Sequence, residues 1–536
     1  MRIRRSLSAT VALATAIVII APGSSSAGRP VKASAAVLVN AGFEDTTDLA
    51  APAGWTEHGD RDASYVEAGG RTGEQRLSHY ADTAYRVQTR QRLTGLASGT
   101  YTLRAAVRSS GGQHAAYLGV SGCGRGPAGR VDLPRTGDEW WVELALSVKV
   151  STGHCTIDLV SDAAAGQWAN VDDVSFTRSD GSEGLPVAIG GADVSHLTKN
   201  EAYGAVYRDA TGRPRDALRI LADNGVNYAR LKVWVDPADG FSDKADVLAK
   251  AKRAKAQGMK LLIDFHYSDT WADPGKQYKP AAWADLDLDG LRQAVYDHTY
   301  DVVSALRRQG TAPEMVQVGN EINGGMLWPD GRWDNWDGLA QLLTAGSTAV
   351  TDASPRTKVA LHLAEGGNNG GHRWWFDNAV AYGVPFDVIA VSHYTYWHGP
   401  LGYLQTNLFD LTARYDRPVV VVETAYGFTL DEHDHETNIF NATLAAEGGY
   451  PATPQGQADA LRDITNVVAA VPGGRGLGVF YWEPTWTAVD GAGWDPADPT
   501  SGDGWENQAL FDYSGQALPG LRVFADTVAR DKGGKR

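Results

Sequence analysis

The pattern of hydrophobic and polar positions divides the chain into two parts with different periodicities. Between residues 36 and 178, short segments such as 101–107 and 141–148 alternate apolar and polar positions, and glycine-rich turns separate them. Such alternation is typical of strands with one buried face, and its recurrence over this length predicts an all-β sandwich. Residues 179–187 are rich in Ser, Gly and acidic side chains and are predicted to be a linker.

Residues 188–536 follow a second pattern, in which apolar strand-like segments alternate with helical segments. The predicted strands lie at residues 188–195, 227–234, 260–266, 316–321, 359–364, 388–394, 419–423 and 478–483. The predicted helices lie at residues 216–224, 244–257, 291–309, 336–353, 374–382, 404–415 and 454–471. Strands that alternate with helices in this way indicate a (β/α)8 barrel. The expected fold class is therefore α/β, a TIM barrel preceded by an all-β sandwich.

Residues 1–35 have the pattern of a signal peptide. An arginine-rich beginning is followed by an apolar stretch over residues 9–21, which is too short to span a membrane. Small residues then offer cleavage after residue 27 or after residue 35. No later run of 18 apolar residues occurs in the sequence. We therefore expect a secreted, soluble protein that has no membrane partner.

Composition narrows the class of ligand. The formal net charge of −15 argues against a nucleic-acid partner and favours a neutral substrate. The 17 Trp and 21 Tyr residues include enough aromatic surface for stacking on sugar rings, although many must fill the core. Cys123 and Cys155 are the only cysteines, and in an exported protein we expect them to form one disulfide. The chain is expected to act as a monomer.

Two glutamates each follow a strongly apolar strand. Glu321 ends the predicted strand at 316–321, and Glu423 follows four consecutive valines. The carboxyl ends of all strands in a barrel meet at one face, so the two side chains are expected to lie close together. Paired carboxylates are what glycoside hydrolysis requires, one to protonate the leaving oxygen and one to attack the sugar. The acid needs a raised pKa and should be the less well paired of the two.

Further polar and aromatic residues at strand ends complete the predicted site. Asn320 is suited to a hydrogen bond with the sugar 2-hydroxyl. Arg230 and Tyr394 are suited to holding the nucleophile ionised and aligned, and Trp482 to forming the floor under the sugar at the cleavage point. The remaining residues of this kind are Asp193, Trp234, Asp264, His266, His362, Glu365, His393 and Glu483. Of these, Asp193 and Trp234 are expected to contact substrate.

Five motifs, in order along the chain, resemble glycoside hydrolase family 53, the endo-β-1,4-galactanases. The likeness covers about residues 188–527. Its motifs are Gly-Ala-Asp-Val-Ser at 191–195, Arg-Leu-Lys-Val-Trp at 230–234, residues 264–277 beginning Asp-Phe-His-Tyr, Gly-Asn-Glu-Ile-Asn at 319–323 and Phe-Tyr-Trp-Glu-Pro at 480–484.

The resemblance implies an activity and several site residues. It implies that Glu321 is the acid/base and Glu423 the nucleophile of a retaining enzyme, with endo cleavage of the galactan side chains of pectin and no catalytic cofactor. It further implies that four residues line the subsites, His266, Trp271, Asp273 and Trp328.

Bacterial members of this family have a calcium site in the loop after strand seven, on alternate residues of an Asp-x-Asp-x-His-x-Asn run. The corresponding positions here are Glu432, Asp434, Glu436 and Asn438, with Asp503 near a position where the family offers Ser. Two of these depart from the pattern, although all offer oxygen ligands suited to calcium. A plain acidic surface loop is the alternative. The interleaved His433 and His435 lack the third partner that a zinc site would need.

The sandwich resembles jelly-roll carbohydrate-binding modules at residues 38–44, 54–55 and 170–176. By that likeness Glu44 and Asp173 would share a second structural calcium. A sandwich without any ligand remains the alternative. The candidate platforms for a sugar are Trp55, Tyr80, Tyr85, Trp140, Trp141 and Trp168.

Three other functions remain open at this point. The same chemistry would also suit another β-1,4-glycan such as mannan or xylan, because the subsite loops determine the substrate. A catalytically silent galactan-binding protein would keep the fold without hydrolysis. A metal-dependent barrel hydrolase would need a His/Asp cluster on one strand, such as His-x-His, and the sequence places none at a strand end.

Overall fold

The computed structural model describes residues 38–45, 47–126 and 128–529, so the predicted signal peptide lies outside the described residues. The first part of the chain forms a sandwich of two five-stranded antiparallel sheets, with the orders β1-β4-β9-β6-β7 and β2-β3-β10-β5-β8. Its strands are β1 (Thr56–Gly59), β2 (Ser64–Ala68), β3 (Gln75–Tyr80), β4 (Tyr85–Thr94), β5 (Gly99–Ser109), β6 (Ala115–Ser121), β7 (Gly129–Asp132), β8 (Val142–Val150), β9 (His154–Ala163) and β10 (Trp168–Ser179).

Alternate residues of these strands build the sandwich core. Leu103, Val107 and Val171 are buried between the sheets, as the alternating sequence pattern requires. Cys123, just after β6, forms a disulfide with Cys155 in β9.

The second part forms a closed barrel of eight parallel strands, in the order β11-β12-β13-β14-β17-β18-β19-β20. This confirms the predicted (β/α)8 barrel behind a β-sandwich. The barrel strands are β11 (Ile189–Asp193), β12 (Tyr228–Val233), β13 (Lys260–Phe265), β14 (Met315–Val318), β17 (Lys358–Leu363), β18 (Val388–Ser392), β19 (Val419–Glu423) and β20 (Gly476–Tyr481). A small hairpin of β15 (Gly325–Met326) and β16 (Gly331–Arg332) follows β14.

The barrel strands are buried on both faces, which explains their nearly continuous apolar sequence. Four consecutive valines of β19, for example, are all buried, and β-branched residues suit such strands.

Helices surround the barrel and begin at the face where the strands end. They are α1 (Leu197–Ala202), α2 (Ala217–Asp223), α3 (Lys244–Ala256), α4 (Leu288–Arg308), α5 (Trp336–Ala353), α6 (Asn369–Ala381), α7 (Thr395–His398), α8 (Leu401–Tyr415), α9 (Ala442–Gly448), α10 (Pro454–Ala469) and α11 (Leu521–Thr527). Asp, Asn or Thr side chains cap most of the longer ones, as Asp287 does for α4 by accepting from Gly290 N. Of the helices that the structure describes, none is both long and apolar enough to cross a bilayer.

The sandwich packs directly against helices α8 and α10 of the barrel. The Arg104 guanidinium donates to the Ala470 carbonyl at 2.6 Å. The backbone N–H and carbonyl of Glu143 pair with the Gln405 side chain at 2.6 and 2.8 Å. The Trp140 ring packs edge-on against Tyr403, with 4.7 Å between ring centroids. These contacts hold the sandwich in a fixed position on the barrel.

Candidate active site

The structure places Glu321 and Glu423 side by side at the carboxyl ends of β14 and β19. Three atoms lie within 4.8 Å of one another: a carboxylate oxygen of Glu321, a carboxylate oxygen of Glu423 and a ring nitrogen of His362. Glu423 is the last residue of β19. The predicted strand that runs to Glu321 is wrong in its last residues, because β14 ends at Val318 and Glu321 has a left-handed backbone with φ 48° and ψ 51°. Such conformations are uncommon outside glycine and cluster at functional sites.

Glu423 is held on both carboxylate oxygens. Arg230 Nη2 lies 2.8 Å from Oε1, and the Tyr394 hydroxyl donates to Oε2 at 3.1 Å. Burial raises the pKa of Glu423 to about 7, although Arg230 and Tyr394 act to lower it. Both contacts stabilise the charged form and fix its orientation. The predicted roles of Arg230 and Tyr394 in holding the nucleophile stay predictions.

Glu321 is less well paired than Glu423, whose carboxylate contacts Arg230 and Tyr394. Burial raises the pKa of Glu321 to about 8, and the charge of Glu423 raises it further. A hydrogen bond with Ser392 acts in the opposite direction. Arg230 and Tyr394 stabilise the charged form of Glu423, so a proton shared by the pair is favoured on Glu321. The arrangement therefore provides one acid and one ionised carboxylate.

Arg230 is the centre of a buried polar network. Its Nη1 donates to Asp193 at 2.6 Å, its Nη2 to Asp264 at 2.9 Å, and its Nε to the Gln317 side chain at 2.9 Å. Burial alone lowers the pKa of Arg230, but the surrounding carboxylates outweigh this effect and raise it above its ordinary value. Asp193, predicted as a substrate contact, is buried and pairs with Arg230.

A chain of hydrogen bonds leads from this network to Glu321. The Gln317 amide nitrogen lies 2.9 Å from both Asp264 Oδ1 and His362 Nδ1. The other ring nitrogen, Nε2, lies 2.8 Å from the Ser392 hydroxyl. Burial lowers the pKa of His362 well below its ordinary value, so the ring is neutral. With Nδ1 accepting and Nε2 donating, His362 orients the hydroxyl that contacts Glu321.

This geometry also bears on the metal-dependent alternative. Within the described ranges, Glu321, His362 and Glu423 are the one group of three potential ligands whose ligating atoms converge within 4.8 Å. Both nitrogens of His362 already have hydrogen-bond partners. The histidine is therefore not arranged to offer a lone pair to a metal.

Asn320 and His266 are held in place by their neighbours. Asn320 accepts from Arg230 at 2.9 Å and donates to the Ala272 carbonyl at 2.8 Å, which leaves one amide hydrogen for a ligand. His266 Nε2 lies 3.1 Å from Asp264 Oδ2, and its Nδ1 accepts from Trp234 Nε1 at 3.2 Å. Trp234 thus positions His266 within the site.

An aromatic wall stands beside the carboxylates. Trp482, half-buried after β20, lies 4.5 Å from Trp505 and 5.8 Å from Trp271 between ring centroids. The Lys232 ammonium lies 3.7 Å from the Trp271 ring centroid and pairs with buried Glu483 at 3.4 Å. A wall of this kind offers flat apolar faces to a sugar chain.

Two predicted subsite residues lie on the loops beside Glu321. Gln277 Nε2 donates to the Asp273 carbonyl at 3.1 Å and to the Asn320 carbonyl at 2.8 Å, which ties the loop of Asp273 to the turn that carries Glu321. Trp328 donates from Nε1 to the Gly324 carbonyl at 2.7 Å, in the turn that follows Glu321. The structure therefore keeps both beside the pair.

The predicted calcium loop is only partly convergent. Asp434 accepts from the backbone N–H of Glu436 and of Asp503, each at 2.7 Å. Asn438 Oδ1 and Asp503 Oδ2 are buried and have no hydrogen-bond partner among the described residues. Two unpartnered buried oxygens fit a hard cation such as calcium. Glu432, by contrast, is exposed, and its place in the ligand set stays a prediction.

The two predicted calcium ligands of the sandwich contact one loop. Glu44 accepts from the backbone N–H of Glu74 and of Gln75, each at 3.1 Å. Asp173 accepts from the Thr72 hydroxyl. Glu44 lies before β1 and Asp173 lies in β10, so the two carboxylates reach the same loop from distant parts of the chain.

Three residues that shape the site were not assigned from the sequence, Gln317, Lys232 and Ser392. Gln317 is the single polar residue of β14, and Lys232 lies with Arg230 in the otherwise apolar β12. A polar side chain in such a position must find a partner, and this signal was available. Ser392 has no comparable signal, because its importance depends on His362 in the neighbouring strand.

A closed (β/α)8 barrel with two neighbouring carboxylates at its carboxyl-terminal face is an arrangement that glycoside hydrolases use. Comparisons with known proteins identify the family. The family model described as glycosyl hydrolase family 53 matches residues 189–524. The chain belongs to this family.

Characterised relatives and solved structures agree with the assignment. The arabinogalactan endo-beta-1,4-galactanase of Thermothelomyces thermophilus is 36% identical over 344 residues, which cover 62% of this chain and 98% of the relative. The Ignisphaera aggregans GH53 catalytic domain is 44% identical with a TM-score of 0.61, covering 64% of this chain and 96% of that one. A fungal beta-1,4-galactanase structure is 35% identical with a TM-score of 0.56, covering 63% and 99%.

Proposed function

We propose that the protein is a secreted, retaining endo-β-1,4-galactanase. The observation that carries this proposal is the short distance between Glu321 and Glu423, whose closest ligating oxygens lie within 4.8 Å. Retaining glycosidases hold their carboxyl groups about 5–5.5 Å apart, whereas inverting enzymes need about 6.5–9.5 Å for an intervening water. The names of the relatives support galactan as the substrate.

The proposed reaction is a double displacement. Glu321 donates its proton to the glycosidic oxygen while a Glu423 oxygen attacks the anomeric carbon, so that the leaving sugar departs and a glycosyl–enzyme ester forms. Glu321, now ionised, takes a proton from water, and that water attacks the anomeric carbon and releases Glu423. Each displacement inverts the configuration at the anomeric carbon, so the two steps together retain it. Arg230 and Tyr394 hold Glu423 for the attack, and Asn320 is placed to bind the sugar 2-hydroxyl.

Secretion is proposed from the signal-peptide pattern, and pectin side chains are the proposed source of galactan by family likeness. We propose further that Asp434, Glu436, Asn438 and Asp503 hold a structural calcium, supported by the two unpartnered buried oxygens. Glu44 and Asp173 would hold a second calcium in the sandwich. Neither ion takes part in the reaction; each would tie a loop in place.

The test is product release from unsubstituted β-1,4-galactan, compared with mannan, xylan and a cellulose derivative. Glu321→Gln and Glu423→Gln are the matched variants, because each keeps the side-chain shape and removes the carboxylate. Oligosaccharides from galactan alone, lost in both variants, are expected. Cleavage of mannan, xylan or the cellulose derivative would contradict galactan as the specific substrate. A folded wild-type protein that cleaves none of the four glycans would contradict the proposed hydrolytic activity.

A further inference from the structure

The outer surface of the barrel carries a strip of exposed aromatic rings beside helices α5 and α6. Its three members, Trp333, Trp374 and Tyr382, are 43%, 46% and 47% exposed. Trp333 precedes α5, Trp374 lies in α6 and Tyr382 directly follows α6. A single exposed apolar side chain needs no explanation, but a contiguous exposed patch marks an interaction site. We refer to these three residues as the aromatic strip.

One buried tryptophan joins the rings of the aromatic strip. Trp336, the first residue of α5, is buried. Its ring centroid lies 6.2 Å from that of Trp374 and 5.9 Å from that of Tyr382. The Trp333 centroid lies 6.1 Å from that of Trp374. Packing on these neighbours restricts the rings before any ligand binds, so less conformational entropy is lost on binding.

A shallow groove of about 670 Å³ continues the aromatic strip at Tyr382. Besides Tyr382, residues of α4 and α5 line it, namely Arg292, Asp337, Ala340, Gln341, Thr344 and Ala345. The Gln341 side chain accepts from Arg292 at 3.1 Å and donates to the Asp337 carbonyl at 2.9 Å, which fixes its orientation. Hydroxyl, amide and guanidinium groups of this kind match the hydroxyl groups of a sugar.

The charges around the aromatic strip are balanced. The groove is lined by one cation, Arg292, and one carboxylate, Asp337. Next to Trp333, the Arg332 guanidinium lies 3.8 Å from the Asp334 carboxylate. The formal charges cancel in each case, so this surface offers no strong field to a charged polymer. A neutral ligand fits this balance.

The size of the aromatic strip favours a narrow ligand over a protein partner. A large aromatic side chain has roughly 150–250 Å² of surface, so three rings exposed by a little under half offer roughly 300 Å² together. A stable protein interface buries about 800 Å² on each partner. Along α6 the rise from Trp374 to Tyr382 is about 12 Å, which is longer than one sugar residue. A chain of several sugars fits both the area and the length.

Hydrogen bonds connect the aromatic strip with the turn that carries Glu321. Trp375 of α6, adjacent in sequence to one ring of the strip, donates from Nε1 to the Ile322 carbonyl at 3.0 Å. The Trp333 backbone N–H donates to the Gly324 carbonyl at 3.1 Å, which also accepts from the predicted subsite tryptophan of the same hairpin. The strip is therefore anchored at the barrel face that bears the paired carboxylates.

We propose that the aromatic strip and its groove bind a second segment of the neutral β-linked polysaccharide that is cleaved between Glu321 and Glu423. The identity of that polysaccharide as galactan rests on the proposed function. Contact at the strip raises the effective concentration of the polymer at the cleft without new contacts around the cleaved bond. Binding there therefore increases the rate on long chains more than on short chains that fill only the cleft.

The binding test uses the full chain with Glu321→Gln, which keeps the catalytic cleft but prevents hydrolysis. Binding to soluble β-1,4-galactan, mannan and xylan is measured by affinity electrophoresis. Adding Trp374→Ala or Tyr382→Ala is expected to weaken galactan binding about tenfold, and Trp374→Phe to restore much of it. Tyr300→Ala is the matched control and should bind like the parent, because Tyr300 is 41% exposed on α4 but packs on Tyr296, outside the strip.

A kinetic comparison separates the aromatic strip from the subsites of the cleft. In the otherwise wild-type enzyme, kcat/KM is measured on polymeric galactan and on a short galactooligosaccharide. Trp374→Ala should lower the ratio of the two values about tenfold, because a short chain that occupies the cleft cannot also reach the strip. A fall in both values by the same factor would make Trp374 a residue of the cleft and would contradict a separate site.

Equal galactan binding by the parent and by both Ala variants, at unchanged melting temperature, would overturn the aromatic strip as a binding site. A dimer of the parent in sedimentation that Trp374→Ala dissociates, with galactan binding unchanged, would assign the strip to a second copy of the chain and overturn the proposal. Hydrolysis of galactan by the wild type without strip-dependent binding overturns this inference alone. Strip-dependent binding without hydrolysis overturns the proposed function alone.

Discussion

Arg230 Nη2 lies 2.8 Å from Oε1 of Glu423, and the same guanidinium contacts Asp193 and Asp264. One buried cation therefore serves three carboxylates. The arrangement makes Arg230 both a structural centre of the barrel and a positioning residue for the proposed nucleophile. Its removal should affect stability and activity together.

Arg230→Met should destabilise the fold by roughly 3–5 kcal/mol, because it leaves buried carboxylates without their cation. Arg230→Lys should also lose activity, since one ammonium cannot reproduce the planar fork. Urea unfolding and galactan hydrolysis are the measurements. Arg414→Met, which breaks an exposed pair with Asp377, is the control and should unfold near wild type. An Arg230→Met variant as stable as this control would contradict the network.

Tyr394→Phe removes a hydrogen bond that lowers the pKa of Glu423. The pKa of the nucleophile should rise, so Glu423 becomes ionised only at higher pH. The acidic limb of the kcat/KM profile should therefore move to higher pH. The rate should fall roughly tenfold to hundredfold, as for a lost hydrogen bond to a charged group. An acidic limb that stays in place would show that Tyr394 does not act on Glu423.

The variant Ser392→Ala tests the pKa of the proposed acid, Glu321. It removes a hydrogen bond that lowers the pKa of Glu321, so Glu321 should keep its proton to higher pH. The alkaline limb of the kcat/KM profile should move to higher pH while the acidic limb stays in place. A shift of the acidic limb instead would reverse the two assigned roles.

The double variant Cys123→Ser/Cys155→Ser should lower stability by roughly 3–4 kcal/mol, because a closed loop restricts the unfolded chain. The two residues are 32 positions apart. Thermal unfolding of the oxidised wild type, the reduced wild type and the variant checks this. Equal melting temperatures would mean that the bond does not stabilise the sandwich.

Calcium should raise the melting temperature, and a chelator should lower it while turnover at low temperature persists. Asp503→Asn should abolish much of the calcium response, because it weakens a buried oxygen ligand at the barrel loop. Loss of turnover as soon as the chelator is added, in a protein that remains folded, would contradict a purely structural ion.

The sequence predicted the barrel strands well where buried apolar runs were uninterrupted, as in β19. It extended the fourth strand too far, because the left-handed backbone at Gly319 and Glu321 turns the chain in a way that periodicity does not reveal. The short helix α1 was not predicted, since six residues give too little periodicity. The identities of the paired glutamates followed from strand ends and family motifs.

The supporting network could not be predicted from single strands. Gln317 joins Arg230, Asp264 and His362 only because four strands bring them to one layer of the barrel. The exposure of the aromatic residues in the sandwich likewise depends on how the sandwich packs against the barrel.

The most direct test of the central claim is the configuration of the first product. Proton NMR of galactan hydrolysis in its first minutes would observe the newly formed anomeric centre before mutarotation. The short carboxylate separation predicts that the β-anomer appears first. Initial appearance of the α-anomer would mean that water attacks the substrate directly, and would contradict Glu423 as the nucleophile.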